Sequence, residues 1–248
     1  MNATTARKLL VWLLGGTTVA LFLVGEPRAG AGMAIVSLSF AALFLGTWWI
    51  RDRPRADAHR AEARRLRLDY AFEDPHDLSS LPHPLLHRVV HMRGLEHVSW
   101  GTWNGLAVEA FEYWYAVGGD PGRDDYERFT CVLTPVPATW PDLVIEPERT
   151  ATRLPEALGL RDIAFESEVF NRAYHVRCAD ERFASAFVDA QMIAWLLDEA
   201  SGYGFQIAEH RLLAFTERVQ PWQIESVLGM TGGFLVQVPR AIASLYPE

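Results

Sequence analysis

Lysine and cysteine are nearly absent from this sequence. Lys8 is the only lysine, so 22 of the 23 basic residues are arginine, which is typical of a GC-rich bacterial genome. The two cysteines, Cys131 and Cys178, belong to no CxxC pair and to no other metal-binding spacing. This pattern favours two buried free thiols over a disulfide, in a domain that we place in the cytosol.

Sequence signatures of catalysis are missing as well. The chain contains no GxSxG, no HExxH, no P-loop and no dinucleotide-binding fingerprint. Glycines occur within residues 229–234, but the Lys-Ser or Lys-Thr pair that completes a phosphate-binding loop does not follow them. The sequence therefore favours a protein that is not an enzyme, and it predicts no catalytic residues.

Charge is unevenly divided along the 248 residues. The net charge of −8 combines +5 in residues 1–70 with −13 in the remainder. An acidic domain repels phosphate backbones, so we expect no nucleic-acid partner. The positive charge of the first part would be attracted by anionic lipid headgroups.

Two apolar runs lie near the N-terminus. Residues 31–50 carry no charge, and about 20 apolar residues in a helix cover the ~30 Å hydrocarbon core of a bilayer. Together with the shorter run of residues 9–24, they predict a transmembrane helical hairpin over residues 1–50; a cleaved signal peptide is the alternative for the first run. The residues expected at the membrane interface lie at the end of the second run or shortly after it: Trp48, Trp49, Arg51, Arg53 and Arg55.

The distribution of basic residues predicts the orientation of this hairpin. Seven of them lie between Arg51 and Arg67, against only Arg28 in the turn between the two runs. Because positive residues remain inside, the protein should be a multi-pass protein of the cell membrane with both termini cytoplasmic. Residues 51–70 are predicted to form a basic juxtamembrane helix, a stalk near anionic headgroups, and residues 71–248 a soluble domain.

Histidine is concentrated in one short stretch. Five of the eight histidines lie between His76 and His97. If residues 82–91 form a helix, His83, His87 and His91 share one side of it, since four residues make slightly more than one turn. Zinc is the ion that this HxxxH spacing would suit. The alternative is a solvated or half-buried histidine face, because no carboxylate or thiol at helical spacing completes the ligand set.

The best-defined local structure is a β-hairpin. Residues 98–103 and 106–117 are rich in aromatic and β-branched residues, and Asn104-Gly105 between them suits a two-residue type I′ turn. Both faces of the second strand carry aromatic residues. The aromatic residues that either line a ligand cleft or simply pack within the sheet are Trp100, Trp103, Trp114 and Tyr115.

The rest of the chain combines short strand patterns with helix patterns. Asp180 is a good N-cap for one helix with an apolar stripe from Phe183 to Leu197, and Pro221 opens a last helix. The predicted fold class is therefore α+β. After the N-terminal transmembrane helical hairpin we expect a mostly antiparallel sheet of about five to eight strands, with two or three helices on one face.

The two predicted spans are followed by the segments GTWNGLAVEAFEY, VIEPE and FNRAYHVRCADERFASA. These segments and the order of the elements resemble those of uncharacterised membrane-anchored proteins of actinobacteria, a domain-of-unknown-function family with two N-terminal spans and a cytosolic α+β domain. It implies a membrane location and a bacterial source, and it implies no activity.

Three classes of function remain open at this point. The one we favour is a membrane-tethered cytosolic interaction or scaffold module, whose partners are the lipid bilayer and a protein at the membrane. The second is a lipid- or small-ligand-binding domain that uses the aromatic sheet face. The third is a metal-dependent enzyme that uses the histidine face, with zinc as its cofactor.

Overall fold

The computed structural model describes residues 53–87, 90, 92–117, 125–148 and 160–246. The predicted transmembrane hairpin, with Trp48, Trp49 and Arg51, lies outside these residues, and so does His91. Among the described residues, none of the helices combines the length and the apolar character needed to cross a membrane.

The described residues form six α-helices, nine β-strands and two short 3₁₀ turns. In chain order the helices and strands are α1 (Arg53–Leu66), β1 (Asp69–Ala71), β2 (Arg93–Trp103), β3 (Leu106–Val117), β4 (Asp125–Pro135), β5 (Leu143–Pro147), β6 (Arg161–Asp162), α2 (Glu168–Ala173), β7 (Tyr174–Cys178), α3 (Glu181–Phe187), α4 (Ala190–Leu197), β8 (Gly204–Ala208), β9 (Arg211–Glu217), α5 (Ile224–Gln237) and α6 (Arg240–Leu245). The 3₁₀ turns are Leu78–Ser80, before β2, and Pro221–Gln223, before α5.

All nine described strands belong to one antiparallel sheet, in the order β1-β2-β3-β4-β9-β8-β5-β7-β6. This confirms the α+β class and the antiparallel sheet, with more strands than the sequence predicts. Asn104 and Gly105 have φ angles of 46° and 84°. The β2–β3 hairpin therefore has the predicted turn with two positive φ angles.

The two faces of the sheet are covered differently. All six described helices pack on one face, the helix face, which on β3 carries Val108, Ala110 and Glu112. The helices are on one side, as predicted, but they number six rather than two or three. The opposite face, the strap face, is covered by the strap (residues 74–87), whose buried leucines pack on aromatic side chains of β3 and β4.

Hydrogen bonds to buried polar side chains hold the strap on the sheet. The Leu85 backbone N–H donates to Gln206 Oε1 at 3.1 Å, and the Gln206 amide in turn donates to Glu146. Glu146 also pairs with Arg177, at 3.3 Å. Since Gln206 and Glu146 are fully buried, each bond is made away from water, where an unmade bond would be costly.

Helix α1 is an integral part of the domain. Its own residues His59 and Ala63 are buried against the sheet, and Ala63 lies in one apolar cluster with Val108 and Ala110 of β3. Of the basic helix predicted for residues 51–70, the structure describes a helix over Arg53–Leu66, and residues 69 and 70 already belong to β1. Its packing on the sheet corrects the expectation of a separate stalk. Small alanines on one side allow close approach to the sheet, while the arginines point mostly outward.

The helix predicted after Asp180 is divided into two. Asp180 caps α3 as expected, because its side chain accepts hydrogen bonds from the backbone N–H groups of Arg182 and Phe183. Asp189 then caps α4 by accepting from the Met192 N–H. An aspartate that bonds the backbone ahead of it starts a new helix instead of continuing the old one, which the apolar stripe alone did not reveal.

Gly204 is placed where any larger residue would collide with the core. A Cβ atom at this position would lie only 2.2–2.7 Å from three ring atoms of Phe215, its partner on β9, and that ring is itself buried. We expect Gly204→Ala to lower the free energy of unfolding by about 1–3 kcal/mol, as overpacking typically does. Urea unfolding measures this.

Gly232→Ala is the matched control for that substitution. Its Cβ would meet Leu106 Cδ1 at an ordinary 3.6 Å within α5, so the variant should gain up to about 1 kcal/mol of helix propensity. Equal effects of the two substitutions would contradict the close approach of Gly204 and Phe215.

Candidate functional site

The strongest cluster of chemically capable side chains lies between α1 and the sheet. We call it the His–Glu cluster; it consists of His59 on α1, His97 on β2 and Glu112 on β3. Their relative exposures are 1%, 4% and 4%, and one potential ligand atom from each lies within 4.8 Å of the others. Such burial of three ionisable groups requires that each has a specific partner.

A β-bulge places His97 in this cluster. Glu96 pairs with Glu112 and Ser99 pairs with Ala110, so β2 has one residue more than β3 between the two pairs. His97 takes a φ of 59°, in the left-handed region that few non-glycine residues adopt, and its N–H donates to the Phe72 carbonyl at 2.9 Å. The bulge therefore directs the imidazole of His97 to the ring of His59.

Glu112 is the centre of the electrostatics. It accepts a hydrogen bond from His59 Nε2 at 2.7 Å and bonds from the guanidinium of Arg55, whose Nε lies 3.0 and 3.2 Å from its two oxygens. Burial by itself would raise the pKa of Glu112, but the hydrogen bonds from His59 and Arg55 outweigh it and hold that pKa at about 2. Glu112 is therefore a carboxylate at neutral pH.

Arg55 connects this carboxylate to a third part of the fold. Besides Glu112, it donates to the Val219 carbonyl at 2.8 Å and to Gln220 Oε1 at 3.4 Å. It thereby joins the first turn of α1 to β3 and to the segment after β9. The arrangement is an ion-pair clamp that fixes the start of α1 on the sheet.

The ring of His97 is held by aromatic neighbours. It stacks on the His59 ring with centroids 4.3 Å apart and planes 7° from parallel, and Phe72 contacts it edge-on at 5.1 Å. Its Nδ1 lies 3.0 Å from the Tyr70 hydroxyl. Burial lowers the pKa of His97 to about 3, with a smaller contribution from the nearby His59, and burial raises the pKa of Tyr70 to about 12.

These pKa values describe groups that keep one charge state near neutral pH. A general acid or base works best when its pKa lies near the working pH. The pKa values of Glu112, His97 and Tyr70 all lie far from 7. The same three groups are well suited to keep a fixed charge state and a fixed hydrogen-bond pattern.

The cluster has the residue types of a zinc site, but in a different geometry. Two imidazoles and a carboxylate are common zinc ligands, and the buried Nδ1 of His59 has no hydrogen-bond partner. However, the guanidinium of Arg55 already bonds both carboxylate oxygens of Glu112. The stacked imidazole rings of His59 and His97 also direct their nitrogen lone pairs side by side and not towards one point. The ion-pair clamp is the arrangement that the geometry supports.

The histidines singled out in the sequence have other partners. No helix forms over the described residues of the segment 82–91. The buried His83 donates from Nε2 to the Arg211 carbonyl at 3.1 Å, and burial lowers its pKa to about 4. The exposed His87 donates to the Ser80 carbonyl at 3.1 Å, and His91 lies outside the described residues. Zinc binding by these three residues stays a prediction.

The four aromatic residues proposed for a ligand cleft lie on different faces of the sheet. Trp100 and Tyr115 belong to the strap face, where Tyr115 is buried and its hydroxyl bonds Glu127. Trp103 and Trp114 belong to the helix face, where Trp103 packs beside α5. The structure does not bring these four residues together.

Two of the residues predicted for the membrane interface are described. Arg53 is exposed and lies 3.9 Å from Asp57, one turn further along α1. Arg55 is instead the basic member of the clamp, with a side chain only 18% exposed. Its guanidinium therefore faces the interior of the domain.

No sequence pattern predicts a site at His59, His97 and Glu112. One signal was available for Glu112: it is a carboxylate in the middle of a strand with aromatic neighbours on both sides, where burial demands a counter-charge. Nothing comparable marks His59 within an arginine-rich helix, because its partner is 53 residues away in the chain.

Comparisons with known proteins give one informative result. Neither protein-family models nor curated proteins give a match to this chain. Among solved structures, the crystal structure of the mycobacterial trehalose monomycolate transport factor A, TtfA, is similar, with a TM-score of 0.55 and 12% sequence identity. The likeness covers 75% of this chain and 97% of that chain. At this identity it shows a shared fold.

Proposed function

We propose that this chain is a membrane-tethered interaction module at the cytoplasmic face of the cell membrane, which assists the handling of a lipid through contacts with a membrane protein. It is a structural factor in this proposal and carries out no reaction of its own. The proposal includes the two-span anchor and the membership of the actinobacterial family that the sequence resembles.

The clamp between Arg55, Glu112 and His59 is the observation that carries this proposal. Arg55 lies only five residues after the predicted end of the second span, at residue 50. A helix pinned to the central strands so soon after a span would couple the domain to the anchor. A scaffold needs such coupling, because it fixes the position of the domain relative to a partner in the same membrane.

The fold likeness and the cluster chemistry support the same proposal. The structural neighbour is named a trehalose monomycolate transport factor, and it shares the fold over nearly its whole length. The pKa values of Glu112 and His97 favour a fixed charge network over catalysis.

Membrane fractionation of cells that produce the full chain tests the tether. We expect the chain to stay in the membrane fraction after an alkaline carbonate wash. Leu43→Arg places a charge near the middle of the predicted second span, at a cost of about 2.5–3.5 kcal/mol, and should lower, without abolishing, the share of the chain that resists the wash, because the first predicted span remains. The same change at the exposed Leu245, 62% accessible, should have no effect. Release of the unmodified chain by carbonate would overturn the tether.

Native mass spectrometry of a mild-detergent extract tests the interaction. We expect the chain to appear in a complex with an integral membrane protein, together with bound lipid on that complex. A chain that is recovered only by itself, while firmly embedded in the membrane, would overturn the interaction module.

A further inference from the structure

Two arginines lie side by side on the sheet, just beyond the start of α1. Arg128 belongs to β4, and Arg218 directly follows the last residue of β9. Phe129 pairs with Glu217, and the Arg218 N–H donates to the Arg128 carbonyl at 2.9 Å, so the two arginines are directly opposite each other. Residues that are opposite each other on neighbouring strands lie on the same face of a sheet. We call Arg128 and Arg218 the arginine pair.

The arginine pair lies on the helix face. Arg128 pairs with Trp114 of β3. Because side chains alternate along a strand, Arg128 also shares its face with Val132, which lies in one apolar cluster with residues of α1 and α5. Arg218 is close enough to Arg55, in the first turn of α1, for the charge of Arg55 to act on it. The pair and the clamp are therefore neighbours on one face.

No counter-charge is committed to the arginine pair. Neither side chain forms a hydrogen bond or an ion pair among the residues that the structure describes. Burial lowers the pKa of Arg218, and the positive charges of Arg55 and Arg128 lower it further. Glu112 and Glu96 offset part of this effect, but Glu112 is already bonded by Arg55. Like charges directly opposite each other destabilise a sheet, so a bound anion would stabilise this part of the fold.

Aromatic rings restrain one member of the pair. The Arg128 Cζ lies 5.9 Å from the centroid of the Trp114 ring and 5.8 Å from that of the Tyr126 ring. Trp114 is fixed in turn: its Nε1 donates to Glu96 at 3.3 Å, and a Cβ atom at Gly94 would lie only 2.6 Å from the indole. Contact with an aromatic ring holds a guanidinium without using its N–H donors as a hydrogen bond does. Arg128 is thus positioned while its donors remain available.

We propose that the arginine pair is a binding site for a phosphate group. A guanidinium presents a planar fork of N–H donors that matches the oxygens of a phosphate, and one phosphate has enough oxygens to accept from two guanidiniums. Its negative charge offsets the repulsion between Arg128 and Arg218. The site is formed by described residues and does not depend on the tether.

The position of the site indicates the source of the phosphate. Arg55 bonds the Val219 carbonyl, one residue after Arg218, so the site adjoins the start of α1. That helix begins at Arg53, and the predicted second span ends at residue 50. Three Cα–Cα steps cover at most about 11 Å. A phospholipid headgroup is therefore the nearest source, and this part of the inference rests on the proposed function; a free phosphate ion is the other source.

Calorimetric titration of the full chain in dodecyl maltoside tests the site. This detergent contains no phosphate, and it can be used whether or not the chain spans a membrane. The probe is inorganic phosphate, titrated at constant ionic strength against a chloride blank. We expect the unmodified chain to bind, and Arg128→Gln and Arg218→Gln each to lose about ten-fold or more in affinity. Arg240→Gln removes a charge from an exposed position of α6 and, as the matched control, should bind like the unmodified chain.

Thermal unfolding in the same detergent distinguishes ligand binding from a structural role. Because the two charges repel each other, Arg218→Gln should unfold at the same or a higher temperature than the unmodified chain when phosphate is absent. Phosphate should raise the unfolding temperature of the unmodified chain but not that of Arg218→Gln, since a ligand stabilises only the form that binds it. A lower unfolding temperature of Arg218→Gln without phosphate would assign Arg218 a structural role and contradict the proposal.

Native mass spectrometry separates the two sources of the phosphate. The chain is extracted from membranes that contain phosphatidylglycerol. We expect the unmodified chain and Arg240→Gln to retain this lipid several-fold more often than the double variant Arg128→Gln/Arg218→Gln. Equal retention by all three, together with calorimetric binding of phosphate, would identify the free ion as the ligand of the site.

The site and the tether fail in different ways. Absence of phosphate binding in calorimetry, together with equal lipid retention by the unmodified chain and the double variant, would overturn the site and leave the tether intact. Phosphate affinity that is unchanged in both single variants would overturn it as well. Release of the chain from membranes by carbonate, with phosphate binding preserved, would overturn the tether and the headgroup as the source, but not the site.

Discussion

Replacement of Glu112 by glutamine is expected to lower the free energy of unfolding by about 3–5 kcal/mol, the loss that is typical when one partner of a buried ion pair is removed. The Glu112 and Arg55 side chains are 5% and 18% exposed, so the guanidinium would be left with little water to replace the carboxylate. The amide would also present an N–H₂ group to the donors of His59 and Arg55. Urea unfolding of the full chain in detergent measures the change.

Glu109→Gln is the control for this substitution. Glu109 lies on the same strand, contacts Arg211 at 3.2 Å, and its partner is 44% exposed. We expect a loss below about 1 kcal/mol there, as for other surface ion pairs. Similar losses for Glu112→Gln and Glu109→Gln would contradict the clamp.

A double replacement separates the ion pair from simple packing. Arg55→Met combined with Glu112→Leu removes both charges together and should recover part of the stability that Glu112→Gln loses. Recovery will be incomplete, because His59 Nε2 loses its acceptor.

The second large effect is a loss of stability on mild acidification. Burial lowers the pKa of His97 from 6.5 to about 3 and that of His83 from 6.5 to about 4. At a pH between the unfolded and the folded pKa of each histidine, the unfolded chain binds a proton that the folded protein does not. The free energy of unfolding therefore has its full value above pH 6.5 and falls as the pH drops towards 3. The pKa of Glu112, about 2, adds a further loss below pH 4.5.

His97→Asn isolates the contribution of His97. Asparagine tolerates the positive φ of 59° at this position and does not titrate. The difference in unfolding free energy between pH 7 and pH 4 should become about 3 kcal/mol smaller, since each pKa unit corresponds to 1.36 kcal/mol. The slope that remains belongs mainly to His83.

His87→Asn is the control for the substitution itself. His87 is exposed and bonds the Ser80 carbonyl, so we expect its replacement to change the free energy of unfolding at pH 7 by less than about 0.5 kcal/mol. An unchanged pH dependence in His97→Asn would contradict the burial of a neutral His97.

Local elements of the fold were predictable because their causes are local. Asn104-Gly105 produces the β2–β3 turn because only certain residues accept two positive φ angles in succession. Asp180 begins α3 because its side chain bonds the next free N–H groups. The break before α4 was missed, since an apolar stripe continues across it.

The candidate site was not predictable in the same way. His59 and Glu112 are far apart in sequence, and their contact exists only because α1 crosses β3 at that point. The bulge that directs His97 towards them depends on a pairing register that no local pattern shows. The sequence pointed instead to His83 and His87, which the fold uses to bond backbone carbonyls.

The sequence by itself determined the α+β class, the central hairpin, the uneven charge and the apolar runs, because each follows from composition or from spacing along a few residues. Tertiary structure alone decided that α1 joins the domain and that Arg55 turns inward to Glu112. Those features depend on which surfaces pack together, and long-range packing selects partners that are distant in sequence.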